Sequence, residues 1–221
     1  MKEELKAAAS ENTHETVLAL ISRENSGFVL DVGAGSGALS LKLCELGFKV
    51  VATDINSTFK ANTVDEDIEF VLSDLDVSIP FKDHVFDYIV AVEIIEHVEN
   101  PWHFLREISR VLKINGKLYL TTPNIHAIYQ RIYFLFSRPF YSFRNYDFEE
   151  NRHITPILFW NLKRMLDVAG FILKEITFNR GFIPKIKIRG KNLKAPKNFL
   201  FGETLILVAK KVNEPKIYWN L

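Results

Sequence analysis

The chain has 221 residues, 48% of them hydrophobic and 25% charged, which is the size and balance of one α/β domain with a modest insertion. A net charge of +1 supplies no global field toward nucleic acid or an anionic membrane, so any such attraction must come from a local patch. The single cysteine, Cys44, excludes an intrachain disulfide and a cysteine-built metal site, and it fits a reducing compartment.

The opening MKEELKAAASENTHETVLALI carries acids throughout and lacks the apolar run of a signal peptide. No apolar stretch reaches the roughly 20 residues that cross a bilayer, so no membrane span is expected and the cytoplasm is the default location. Residues 11–22 read as an amphipathic helix with Val17, Leu18, Leu20 and Ile21 as its stripe. FVLDV (28–32) is a short buried strand that runs into a glycine-rich turn. ALSLKLCELG has helical spacing and stops at Gly47. KVVATDIN is a second buried strand ending on an acid, IEFVLSD a third and FDYIVAVE a fourth. NPWHFLREISRVLKING reads as a helix with Pro101 in its first turn and Gly116 after its end. KLYLTTPN is strand five. Residues 156–170 read as a helix stopped by Gly170, and FILKEITFN and ETLILVAKKV are the last two strands.

Strands alternating with helices predict a mostly parallel sheet covered on both faces, with at least one antiparallel pair among the final strands because no helix separates them. The expected fold is a seven-stranded Rossmann-like α/β sheet in one domain, 1–221. Two segments interrupt the rhythm. Residues 125–153 are crowded with aromatics, among them Tyr129, Phe134, Phe136, Phe140 and Phe148. Residues 180–198 are basic, with Arg180, Lys185, Lys187, Arg189, Lys191, Lys194 and Lys197.

Asp31, Gly33, Gly35 and Gly37 stand where strand one hands over to a helix. Glycines there let the chain turn sharply and let a ligand approach main-chain N–H groups at the positive end of the following helix. The spacing is GxGxG rather than GxGxxG, and there is no P-loop lysine. A carboxylate at Asp31 would repel a pyrophosphate but attract an ammonium. Asp54, at the end of strand two, suits the hydroxyls of a ribose. Asp74, at the end of strand three, suits an adenine amino group. With the adjacent Ile55 and Leu75, these residues suit adenosine joined to an amino acid, which is S-adenosylmethionine.

The ordered set VLDVGAGSG, ATDIN, SDLD, FDYIVAVEIIEHVENP, VLKINGKLYLTTPN and HITP…LKRMLDVAGF resembles the class I S-adenosylmethionine-dependent methyltransferases, over about residues 14–175. The resemblance implies their seven-stranded sheet with an antiparallel last strand. The one departure is LKINGKL where LKPGGxL is usual.

EIIEHVENP follows strand four at the carboxyl edge of the sheet. If EIIEH is one helical turn, Glu93, Glu96 and His97 share a face, and two carboxylates with an imidazole can ligate a divalent cation. His153 could be a fourth ligand. The ExxEH pattern resembles metal-assisted O-methyltransferases of the ubiquinone-biosynthesis type and small-RNA 2′-O-methyltransferases. The favoured reading uses no metal: Glu93 borders the cofactor's methionine end and His97 is the base. The aromatic insertion reads either as a lid over an apolar or ring-containing acceptor or as rings that bury one another. The expected function is methyl transfer to a small-molecule acceptor, on oxygen. The alternatives are a metal-assisted RNA 2′-O-methyltransferase and a cofactor-binding module that acts through a partner. Nucleic acid is not the expected partner, and the oligomeric state is left open.

Overall fold

A computed structural model describes residues 9–61, 68–183, 187–188, 191–192 and 195–216. In chain order the elements are α1 (Thr13–Ile21), β1 (Phe28–Val32), α2 (Ala38–Glu45), β2 (Lys49–Asp54), β3 (Glu69–Leu72), β4 (Phe86–Ala91), α3 (Pro101–Val111), β5 (Leu112–Pro123), α4 (Ile128–Leu135), α5 (Asn145–Asn151), α6 (Phe159–Val168), β6 (Phe171–Phe178), β7 (Lys187–Ile188), β8 (Lys191–Asn192) and β9 (Thr204–Lys211). One turn of 3₁₀ helix, Tyr141–Phe143, lies between α4 and α5.

The seven-stranded sheet has the order β3–β2–β1–β4–β5–β9–β6. The strands from β3 to β5 are parallel, and β9 is antiparallel to both of its neighbours, β5 and β6. Successive side chains on a strand point to opposite faces. Val29 therefore packs with Val17, Leu20, Leu39 and Leu43 of α1 and α2. Leu30 and Val32 pack with Phe104, Leu105, Leu162 and Met165 of α3 and α6. Because both faces are covered, β1 and β2 read as unbroken apolar runs rather than alternating ones.

Two helix boundaries differ from the sequence reading. α3 begins as expected, with the Asn100 side chain accepting from the His103 N–H at 3.0 Å and Pro101 in the first turn. It ends at Val111 rather than Asn115, because Leu112 is extended and fully buried, pairing with Phe86. Gly116 thus lies inside β5 and not past a helix end. α6 begins at Phe159, three residues after Pro156, where the His126 Nε2 accepts from the Phe159 N–H at 2.9 Å. The cap comes from another part of the chain, so the local sequence could not reveal it.

The end of α3 is finished by a buried cation. Lys211 on β9 is 0% exposed, and its Nζ donates to the carbonyls of Ser109 (2.8 Å) and Leu112 (3.1 Å) and to Glu214. Those carbonyls belong to the negative end of the helix. Lys211→Met should therefore destabilise the fold by roughly 2–4 kcal/mol in urea denaturation, since it strands two buried acceptors. An unchanged midpoint would show that other groups satisfy these carbonyls.

Candidate active site

Ligand crevices in parallel sheets open where neighbouring strands send their connections to opposite sides, at the strands' carboxyl ends. Here that point lies between β1 and β4, and the residues singled out in the sequence collect around it in two groups.

The first group surrounds the turn from β1 to α2. Gly33, Gly35 and Gly37 have φ of +73°, +55° and +86°. At Gly37 a β-carbon would also come within 2.4 Å of the Ala61 side chain. At Gly35 it would meet nothing within 4 Å, so that position faces open space. The Gly35 N–H donates to Asp54 Oδ2 at 2.9 Å, and the Asn56 N–H donates to Asp54 Oδ1 at 2.8 Å. Ile55 beside it is 60% exposed. Asp74 is exposed, whereas the Leu75 side chain belongs to the core, so Leu75 can meet a ligand only through its backbone.

Asp31 is buried, and Ser40 Oγ donates to its Oδ2 at 2.6 Å. Burial pushes the Asp31 carboxyl up to about 7; the Ser40 bond opposes this and the Asp54 carboxylate adds to it. Asp31 lines a small cavity of about 60 Å³ with Gly33, Gly35, Ser36 and, from α1, His14. The His14 Nδ1 is buried with no hydrogen-bond partner among the described residues. Burial, then Lys42, lowers its pKa, with Glu15 opposing. The sequence reading missed His14. Its only local signal was a polar residue on an otherwise amphipathic helix, and the partners that give it meaning lie on β1 and its turn.

The second group follows β4. Within EIIEH, Ile94 to His97 form a tight turn closed by the His97 N–H on the Ile94 carbonyl at 3.0 Å, not a turn of helix. Glu93 precedes it at φ +50°, and its carboxylate turns away to accept from the Ser10 N–H (2.9 Å) and the Thr204 hydroxyl (3.0 Å). The expected shared face of Glu93, Glu96 and His97 therefore does not form. Glu96, His97 and His153 come together instead, with one ligand atom from each within 4.8 Å of the others. The two imidazole rings are 5.0 Å apart between centroids.

Glu96 is 0% exposed, and neither carboxylate oxygen has a hydrogen-bond partner among the described residues. Burial and the Glu93 carboxylate raise its pKa well above the usual carboxylate range, partly offset by the nearby Thr122 hydroxyl. His97 Nδ1 meets the Arg152 carbonyl at 3.1 Å, and His153 Nδ1 meets the Ser142 carbonyl at 2.7 Å. A carbonyl only accepts, so both Nδ1 atoms carry a proton, and the Nε2 atoms are the ring nitrogens left to meet a ligand. Burial, then His153, lowers the His97 pKa and keeps its ring neutral.

A cavity of about 720 Å³ opens beside this group, lined by His153 and by Phe134, Arg138, Phe140 and Phe148 of the insertion. The basic segment 180–198 contributes little that can be described. Arg180 is ion-paired with Glu203 and Glu11, and the side chains of Lys185, Lys187, Arg189, Lys191 and Lys194 lie outside the described residues.

Asp31 gives a pH test. Its folded pKa of about 7 stands above the unfolded 3.8, so its contribution to stability is present below pH 4 and lost as pH rises through 7. Relative to the wild type, Asp31→Asn should gain roughly 2–4 kcal/mol between pH 4 and pH 8 in parallel denaturation curves. A constant gap across that range would place the Asp31 carboxyl at an ordinary value.

The chain is similar to known methyltransferases. Residues 30–120 match a family model described as a methyltransferase domain. A ubiquinone biosynthesis O-methyltransferase of Pelagibacter ubique is 34% identical over 103 residues, covering 43% of this chain and 42% of that protein. The chain spans about two fifths of the length of such curated relatives. A SAM-dependent methyltransferase structure from Archaeoglobus fulgidus matches with a TM-score of 0.61 at 22% identity, covering 90% of this chain and 95% of that one. The Burkholderia thailandensis 1,6-didemethyltoxoflavin-N1-methyltransferase, solved with 1,6-didemethyltoxoflavin and S-adenosylhomocysteine, matches with a TM-score of 0.64 at 16% identity, covering 92% and 80%. Residues 30–120 thus match a methyltransferase domain, and the chain shares the fold of the S-adenosylmethionine-dependent methyltransferase structures it resembles.

Proposed function

We propose that the protein transfers a methyl group from S-adenosylmethionine to an oxygen of a small-molecule acceptor. The observation that carries this reading is the open space at Gly35, bordered by the carboxylates of Asp31 and Asp54 and by the unpartnered His14 Nδ1. An α-amino acid is a zwitterion, whose ammonium needs an acceptor and whose carboxylate needs a donor. Asp31 suits its ammonium, and a His14 N–H suits its carboxylate. Asp54 keeps acceptor lone pairs for ribose hydroxyls, exposed Ile55 offers a flat apolar contact, and Asp74 can receive an adenine amino group. The small cavity holds only the amino-acid end, so the nucleoside would lie outside it along Asp54, Ile55 and Asp74.

When bound, the cofactor supplies a methyl group on a positively charged sulfur that leaves as a neutral thioether. The chain must then hold an acceptor hydroxyl in line and receive its proton. His97 is neutral and has its Nε2 lone pair available, so it is the candidate base. The name O-methyltransferase of the curated relatives supports oxygen as the acceptor atom.

Glu96, His97 and His153 favour a second form of the same reaction. A fully buried carboxylate without donors is costly unless it is protonated or paired with a cation. Two imidazole lone pairs beside it complete a donor set suited to magnesium, manganese or zinc. A divalent ion held there would lower the pKa of an acceptor hydroxyl. Glu93, held by Ser10 and Thr204, would help to close the crevice and would not be a ligand.

Calorimetry should detect S-adenosylhomocysteine with a micromolar Kd, on the order of −8 kcal/mol. Asp54→Ala and His14→Ala should each weaken binding by roughly 1–3 kcal/mol. Tight binding of NAD with no binding of S-adenosylhomocysteine would reject the reading. Separately, manganese or zinc should raise the Tm of the wild type but not of Glu96→Gln. Full activity after exhaustive chelation would remove the metal and leave His97 acting alone.

A further inference from the structure

Asn179, directly after β6, is 0% exposed and has both ends of its side-chain amide bonded. Its Oδ1 accepts from the Arg180 and Thr204 N–H groups at 2.7 and 2.9 Å. Backbone N–H groups only donate, so the orientation of the amide is fixed. Its Nδ2 donates to the Glu11 carbonyl at 3.0 Å and meets the Thr13 hydroxyl at 3.3 Å. These two acceptors flank Asn12, which is left-handed at φ +63°. A left-handed residue other than glycine persists where its surroundings hold it.

The hold closes into a ring. Thr204 gives its hydroxyl to Glu93 Oε1 at 3.0 Å, and Glu93 Oε2 accepts from the Ser10 N–H at 2.9 Å. The Ser10 carbonyl accepts from the Thr13 N–H at 3.0 Å, which leads back to Asn179 through the Thr13 hydroxyl. Arg180, paired with Glu11 and Glu203, clamps the same segment from outside. Residues 10–13 are thus fixed by groups on β4, β6 and β9. The residue that follows them is His14, which lines the small cavity with Asp31 and the glycine turn. A helical side chain points where its backbone turn directs it. Fastening Thr13 therefore sets where the unpartnered His14 Nδ1 stands.

We propose that Asn179 is a positioning residue for the cofactor: it holds the start of α1 so that the His14 imidazole meets the carboxylate of the cofactor's amino-acid end. The proposal deepens the methyltransferase reading and rests on it. β4, β5 and β9 lie between β6 and β1 in the sheet, so Asn179 acts on the cavity through α1. The residue type matches the task. An apolar side chain would strand the Arg180 and Thr204 N–H groups and the Glu11 carbonyl. An aspartate would set a carboxylate oxygen against the Glu11 carbonyl and against Glu203, whose Oε2 is 3.4 Å from Nδ2. A short primary amide accepts on one side and donates on the other.

The test is a set of double-mutant cycles read by calorimetry with S-adenosylhomocysteine on the full chain. Asn179→Ala should weaken binding by about tenfold, and the milder Thr13→Val, which keeps its shape, by about threefold. In a His14→Ala background Asn179→Ala should cost less than about twofold, because the group it positions is gone. In an Asp54→Ala background it should cost the full factor of about ten, because Asp54 meets the ligand without α1. Should Asn179→Ala fail to fold, Thr13→Val carries the same cycle. Equal losses in both backgrounds would mean a general loosening and would overturn the proposal. So would wild-type affinity in both single variants. Hydrogen exchange without cofactor gives an independent readout. Asn179→Ala, or Thr13→Val in its place, should speed exchange of the Thr13 and Thr16 N–H groups while leaving that of Leu41 on α2 unchanged. Unchanged exchange at Thr13 and Thr16 would overturn the proposal. A wild type without affinity for S-adenosylhomocysteine would strike the methyltransferase reading, and the exchange would still judge the hold on α1.

Discussion

The backbone carbonyl of Glu96 accepts from the N–H groups of both Ile154 and Thr155, each at 3.0 Å. The Thr155 hydroxyl adds a bond to the Val98 carbonyl at 3.0 Å. These bonds fasten the end of the insertion to the turn after β4. Without them His153 would belong to a surface segment and His97 would face solvent. With them, Arg152 supplies the carbonyl that fixes the His97 tautomer, and the Ser142 carbonyl does the same for His153. The insertion is thereby held against the crevice, and its cavity opens on His153.

The site contains two buried carboxyls that the fold treats differently. Asp31 has a hydroxyl donor at 2.6 Å, and β1 sets its position directly before the glycine turn. Among the described residues Glu96 has only the nearby Thr122 hydroxyl to offset its burial, and a second carboxylate, Glu93, raises its pKa further. Fold stability alone would favour replacing Glu96 with an apolar residue of similar size. An unpaired acid kept at such a place points to a requirement that appears only when a cation or a substrate proton arrives. In the proposed reaction Asp31 would hold the cofactor's amino group and Glu96 would serve the acceptor's oxygen.

Much of the architecture was legible because it is written in local pattern. Phe28–Val32 and Lys49–Asp54 are apolar runs too short for helices, and both are central strands. The glycines of the β1–α2 turn adopt the positive φ that their spacing suggested. What was not legible depends on residues far apart in sequence. α3 stops at Val111 because Leu112 is drawn into pairing with Phe86, although the helical pattern runs on. EIIEH has helical spacing, yet the left-handed Glu93 and the bonds from Ile154 and Thr155 make it a turn. That one difference separates Glu93 from Glu96 and His97 and gives its place to His153. His14 went unread for the same reason, since its cavity partners lie on β1 and the turn after it.

The aromatic insertion sets the limit of pattern reading most clearly. Its composition supported both a lid over an acceptor and a set of rings burying one another. The rings fall into two sets. Tyr129, Tyr133 and Tyr141 pack edge to face, with ring centroids 5.3–5.6 Å apart, and Tyr129 also meets Phe182. These rings account for the fixed interior of the insertion. Phe134 stacks on Phe140 at 5.1 Å and, with Phe136 and Leu135, remains exposed. Tyr129 is buried and Tyr133 and Tyr141 are partly buried, near Ser142, Gln130 and Arg144, while Tyr146 is exposed. The phenylalanines and aliphatic residues carry no polar end, yet several of them lie outward. Burial driven by water alone would sort these residues the other way.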